Sequence, residues 1–428
     1  MKKEKESFVL RGSICHSRDK DRLQTFDDAY LVCVGGRSEG VFDVLPERYV
    51  GLPLRETGRK LIIPGLVDLH THAPQYQYRG TGMDMELLEW LKTYAFPEEA
   101  RYEDLSYAQK AYGLFVKEMK EGATTRASIF ATSHRPSTVL LMKMLEETGL
   151  VTCVGKVNMD RNVPPYYVES TEESLAETKR WIEEVEAAGF RNTSAILTPR
   201  FTPSCTRELM KGLAELGAAY DLPSQSHLSE NLSEIEYVGQ LEPDTSCYAQ
   251  SYVKAGLMAP GKRCIMAHCV WSGEEEQEIL KESGVFIAHS PDSNTNLCSG
   301  AAPVKDYLKK GLHVGLATDV AGGATTSMIQ TVKTAIQVSK LRNRLYDQNT
   351  GALTFPEAFY LATKGGGAFF DNAGSFDAGC PFDALVLDDG TIPTAREAMS
   401  VEERAERFFY LGDDRHILEK YVNGVRIL

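Results

Sequence analysis

No C-x-x-C pair occurs in this chain, and its nine cysteines are scattered singly. An odd set of isolated thiols excludes a disulfide scaffold and fits a reducing cytosol. No uncharged apolar run reaches the length needed to span a bilayer. The opening MKKEKESFVLRG is basic but lacks the apolar region of a secretory signal, so a cytoplasmic protein is expected. Basic clusters longer than a few residues are missing too, and the formal net charge is −13. Neither a nucleic-acid backbone nor an anionic membrane suits such a surface, which leaves a small molecule as the expected partner. The chain has no H-E-x-x-H, no P-loop and no H-x-E…P-C-x-x-C, which removes three familiar hydrolase and nucleotide signatures. No solenoid repeat or long low-complexity segment stands out.

What is present is an ordinary globular composition, 43% hydrophobic and 25% charged, over 428 residues. That length suits one large domain with a smaller one. The first sixty residues and the last fifty read as short strands and turns, from SFVLRGSICHS to EKYVNGVRIL. Between them apolar runs alternate with amphipathic stretches. VTCVGKVNMD, for example, precedes STEESLAETKRWIEEVEAAG, where Leu175, Trp181, Ile182 and Val185 fall near a helical period. From GLVDLHTH to HVGLATDV there are eight strand candidates, each followed by a plausible helix. Eight alternations predict an α/β fold of the (β/α)₈ TIM-barrel kind over residues 65–371. Residues 1–64 and 372–428 would together make a small composite β-sandwich. A doubly wound open sheet is the alternative, but no G-x-G-x-x-G follows the first strand. KGGGAFFDN follows a helix and reads as its stop.

The stretch IIPGLVDLHTHAPQYQYRG places two imidazoles one residue apart behind an apolar run. In a strand His70, His72 and Asp68 point to one side. Other polar residues close later strands: His227 the fifth, with Glu230 three residues on, His268 the sixth, His289 the seventh and Asp319 the eighth. Barrel enzymes build their sites at these strand ends. His16, His134, His313 and His416 are read instead as satisfied structural residues. Three imidazoles and a carboxylate match a catalytic divalent site with an open position for water. A metal there would bring the pKa of that water near 7, and Glu230 is the expected proton shuttle beside it.

PGLVDLHTH, SHLSE, AHC and ATDV, in that order, resemble the amidohydrolase superfamily over nearly the whole chain. Within it HTHAPQYQYRG, TPRFTPSC, SQSHLSEN and ATDVAGG together are similar to the guanine deaminases; HAPQY and PRFxPSC are the specific part. The resemblance implies a barrel with a composite β-sandwich and a metal held by His70, His72, His227 and Asp319. It implies that Glu230 carries protons and that His268 bonds the activated water or the tetrahedral adduct. It further implies that Gln75 and Arg200 hold the polar edge of a purine, with Phe201 against the ring. For Arg200 a structural ion pair, and for Phe201 simple core packing, are the competing readings. Relatives often have a thiol where Ser290 stands, so that position receives no role.

These residues fit guanine chemically. Gln75 offers a donor and an acceptor, and Arg200 only donors, which suits the carbonyl O6 and the N1–H of guanine. Adenine presents an amino group there and would leave buried groups unpaired. The expected reaction is hydrolysis of guanine to xanthine and ammonia, with metal-activated hydroxide attacking C2. Glu230 would carry protons, with His268 and Asp319 assisting. Alternatives are deamination of cytosine, adenosine-type or triazine substrates, cyclic-amide hydrolysis, or an inactive scaffold barrel. The fourth strand has no lysine to bridge two ions, and Lys156 lies on the third, so a single divalent ion is expected, zinc ahead of iron. The family also suggests a homodimer.

Overall fold

The structure, a computed structural model, describes residues 7–428; the basic start MKKEKE lies outside the described residues. Four strands come first: β1 (Phe8–Ser17), β2 (Leu23–Val34), β3 (Arg37–Phe42) and β4 (Leu54–Pro64). The middle of the chain supplies β5 (Leu66–His72), β6 (Thr124–Phe130), β7 (Val151–Gly155), β8 (Val157–Asn158), β9 (Thr193–Ala195) and β10 (Thr198–Pro199). It continues with β11 (Ser224–Leu228), β12 (Cys264–His268), β13 (Phe286–His289) and β14 (His313–Leu316). β15 (Ala384–Leu387), β16 (Ile417–Val422) and β17 (Val425–Arg426) close the chain.

The fold is mixed α/β. β5, β6, β7 and β9 form one four-stranded sheet and β11 to β14 another, all pairs parallel. The third and fourth expected strands are each broken in two, and their outer pieces β8 and β10 pair with each other. A bridge between Leu197 and Ser224 joins the two sheets on one side. On the other, the chain beyond β14 meets β5: Asp319 donates its N–H to the His70 carbonyl at 2.9 Å, and His72 donates to Val320 at 3.1 Å. Helices fill the intervals because their apolar stripes need the sheets. In Thr171–Ala188 a Ser170/Glu173 capping box starts the helix, Trp181, Ile182 and Val185 are buried, and Gly189 at φ 62° ends it.

Strands from both ends of the chain hydrogen-bond into one seven-stranded sheet of order β17-β16-β15-β4-β1-β2-β3. Phe8, Ile62, Phe382 and Tyr421 pack in its core. The all-β expectation for the ends needs correction. Residues Val401–Leu411 form a helix with a Ser400/Glu403 capping box and buried Val401, Ala405, Phe408 and Phe409. The strands of the N-terminal end are also longer than expected, up to 12 residues in β2. Buried Arg126 of β6 reaches Asp383 at 2.6 Å, and Asp383 accepts from Asn423 N–H at 2.8 Å, which locks the terminal strands onto the parallel sheets. Among the described residues no helix is long and apolar enough to cross a membrane.

Candidate active site

His70 and His72 leave the C-terminal end of β5 on one face, as strand alternation requires. His227 stands near the end of β11, and His268 and His289 end β12 and β13. Asp319 does not end its strand: β14 stops at Leu316, and Asp319 sits three residues beyond in a tight return. A buried carboxylate and a glycine shape that return. Asp68 accepts from the Thr318 N–H at 3.0 Å and from its hydroxyl, and a Cβ on Gly323 would stand 1.9 Å from the Thr318 carbonyl oxygen. Only glycine closes such a loop. Ser229, His268, Cys269 and Asp319 all have φ between 47° and 74°. Each left-handed residue costs about 1–3 kcal/mol, so the strand ends around the cluster hold strain in order to aim their side chains.

The His72 Nε2 lies 3.1 Å from that of His70 and 3.2 Å from that of His227. Asp319 Oδ1 is 3.1 Å from His70 Nε2 and 3.5 Å from His72 Nε2. Four donors about 2.0–2.1 Å from one ion at tetrahedral angles would stand about 3.3 Å apart. Those four separations, 3.1–3.5 Å, match it. Burial, and then the neighbouring rings or Arg200, push all three imidazoles well below the usual histidine range, so they stay neutral as ligands must. His227 donates Nδ1–H to the Arg200 carbonyl at 2.6 Å, which leaves its Nε2 lone pair for the cluster. Neutral nitrogens converging so closely beside a carboxylate make a donor set that could hold a metal ion. The ligand atoms of His70, His72 and Asp319 lie within 4.8 Å of one another, as do those of His70, His227 and His268. His268 differs from the other rings in that its Nε2 faces two carboxylates, Glu230 Oε2 at 3.4 Å and Asp319 Oδ2 at 3.6 Å.

Glu230 is buried, and burial, with the charge of Asp319, pushes its carboxyl well above the ordinary range. Its Oε1 accepts from Ser299 at 3.2 Å, which leaves Oε2 toward His268. Glu234 accepts the Glu230 N–H at 2.9 Å and fixes the turn. Phe130 packs edge-on or tilted against His70, His72 and His227, with centroids 4.6–4.9 Å away. A cavity opens over this cluster and is lined also by Gln75, Arg200, Phe201 and Leu91.

The structure thus brings His70, His72, His227, His268, Glu230 and Asp319 together and places Gln75, Arg200 and Phe201 on the same cavity. His289 and Ser290 are buried but do not line it. Arg200 lines the cavity, and the structural ion pair is present as well, Nη1 to Glu99 Oε2 at 2.7 Å. Phe201 likewise lines the cavity while packing in a core cluster with Phe96 and Phe130. Lys156 is spent on Glu169 at 2.8 Å. Sequence reasoning missed Glu99, Ser299 and Asn294, whose Oδ1 lies 2.8 Å from His268 Nδ1. It missed as well the apolar cover of Leu87, Trp90 and Leu91.

Parallel α/β strands whose C-terminal ends carry a buried His/Asp cluster over a small cavity define the class of a hydrolase with a metal-binding donor set. The chain belongs to the amidohydrolase family, whose sequence profile matches residues 61–427. It is 34% identical over 453 residues to the guanine deaminase of Dictyostelium discoideum, covering 100% of this chain and 99% of that protein. It is 37% identical over 445 residues to that of Mus musculus, covering 99% and 97%. A solved structure of guanine deaminase from C. acetobutylicum with bound guanine in its active site matches with a TM-score of 0.95 at 42% identity. That match covers 99% of this chain and 100% of that one.

Proposed function

We propose that the chain is an enzyme that hydrolyses guanine to xanthine and ammonia. The carrying observation is that one cavity is lined both by Gln75 and Arg200 and by Glu230, His268 and Asp319. Full-length similarity to guanine deaminases supports the same substrate. Gln75 receives the Ala321 N–H on Oε1 at 3.1 Å and donates one Nε2–H to Glu99 at 2.8 Å. A second N–H and a second lone pair remain for a base. Arg200 supplies donors for O6, and Phe201 gives the ring an apolar wall.

His70, His72, His227 and Asp319 would hold one divalent ion, zinc ahead of iron, since donors of this kind accept either. When bound, the ion supplies an activated water at neutral pH. Glu230 Oε2 would carry one proton of the attacking water to ring N3 as oxygen adds to C2. Asp319 Oδ2 would take the other, which would reach the amine by way of Glu230 as the C2–N2 bond breaks. His268 Nε2, between those two carboxylates, steadies the charge that develops. The raised carboxyl of Glu230 suits a group that must hold a proton before giving it up.

The same reading treats the eight parallel strands as a closed (β/α)₈ barrel over residues 65–371. The Leu197–Ser224 bridge and the backbone bonds from Asp319 and His72 support closure. Residues 1–64 and 372–428 are read as the small composite domain, a sandwich curled over Phe8, Phe382 and Tyr421, supported by their shared sheet. Cytosolic residence is supported by nine free cysteines, and a homodimer belongs to the same proposal by family resemblance. The test is ammonia release by the metal-quantified protein from guanine, adenine, cytosine and a triazine. Guanine should dominate; a preference for any other would displace the assignment.

A further inference from the structure

Beside the cavity lies a carboxylate that the reaction above does not use. Glu99, on the short helix Phe96–Ala100, is fully buried. It accepts from Arg200 Nη1 at 2.7 Å, from Gln75 Nε2 at 2.8 Å and from the Tyr167 hydroxyl at 3.0 Å. Its own backbone carbonyl is tied to Thr132 at 3.1 Å. Both side chains assigned to the base are therefore held by one anion. Burial works against the Arg200 charge, and Glu99 overrides it. The consequence for recognition is one of charge. A bare guanidinium in a buried cavity is an anion site, and interactions there are far stronger than in water. Paired with Glu99, Arg200 has donors to offer but the pair has no net charge.

We propose that Glu99 is a specificity-determining positioning residue: by cancelling the Arg200 charge it makes the pocket prefer a neutral purine and discriminate against purine anions. The inference rests on the guanine reading. It gives the arrangement a use, because the product xanthine is more acidic than guanine and its anion would bind well to an unpaired Arg200. The same applies to urate, which is an anion at neutral pH.

Competitive inhibition of guanine turnover by urate and by neutral hypoxanthine, measured at one pH near 7.5, tests this. In Glu99→Gln the ratio of the two inhibition constants should move toward urate by about tenfold, the effect of one charge interaction in a buried site. The KM for guanine should rise more than kcat falls, and metal content should match the parent. Should that variant not fold, Arg200→Gln reads the same balance from the other side. It leaves Glu99 uncompensated, so the ratio must move away from urate. A ratio within twofold of the parent in a folded variant overturns the proposal while leaving guanine as substrate. A parent that releases no ammonia from guanine overturns the underlying reading instead.

Discussion

Replacing Glu230 by glutamine should leave a folded, metal-competent protein that hardly turns over. Ser299 can still donate to the Oε1 position, and the turn is held from outside by Glu234, which accepts the backbone N–H of residue 230. None of the converging ligand atoms belongs to residue 230, so metal per chain should be unchanged. What disappears is an exchangeable proton at Oε2, 3.4 Å from His268. General acid–base catalysis is worth about 10²–10⁴ per transfer, and this carboxyl serves two transfers. A loss of about 10⁴ in kcat is therefore expected, or about 5.5 kcal/mol of barrier. The assay is xanthine formation under saturating guanine, with elemental analysis and a melting curve on the same sample. A folded, metal-loaded Gln variant that works within a few-fold of the parent would remove Glu230 as the proton carrier.

His70→Ala and Asp319→Ala should each lower bound metal as well as activity; elemental analysis after dialysis checks this, and full occupancy in both would mean a different donor set. Arg200→Ala should keep its metal but lose a few kcal/mol in kcat/KM for guanine, with a narrower preference over 2-aminopurine, which lacks O6. The same change should also lower stability by about 3–5 kcal/mol, because Glu99 would be left buried and unpaired. His16, buried between Phe26 and Phe376, is pushed by burial from 6.5 down to about 4. The unfolded chain then binds a proton that the folded one refuses, so stability present above pH 6.5 is lost as pH falls toward 4, about 3 kcal/mol in full. In His16→Leu the melting temperature relative to the parent should rise steadily across that window; a constant offset would refute it.

Much of the buried histidine–carboxylate cluster could be read in advance because its pattern is local. His70 and His72 announce themselves by alternation behind an apolar run, and His227 and His268 follow apolar strands in the same way. Asp319 was legible as a residue but not as a position, since its place depends on a return loop closed by Gly323 and by a carboxylate 250 residues away. Glu99 was not legible at all. It adjoins Glu98, which pairs with Arg101 near the surface, and only the tertiary fold decides which of the two carboxylates is buried against Arg200. The helix Val401–Leu411 is different, because Ser400 and Glu403 form a capping box ahead of buried Val401, Ala405 and Phe408. That signal was present in the sequence and was outweighed by the strand-like texture around it. The strand order of the terminal sheet depends on pairing between chain ends hundreds of residues apart, which no local pattern specifies.

The proposed function turns on one step, the addition of water to C2 of guanine with loss of its amine. Turnover of guanine in ¹⁸O-enriched water, followed by mass spectrometry of the xanthine and assay of the ammonia, tests it most directly. One ammonia per xanthine and one heavy oxygen, carried at C2, are expected. Xanthine without the label, or a metal-loaded protein that leaves guanine intact, would contradict it.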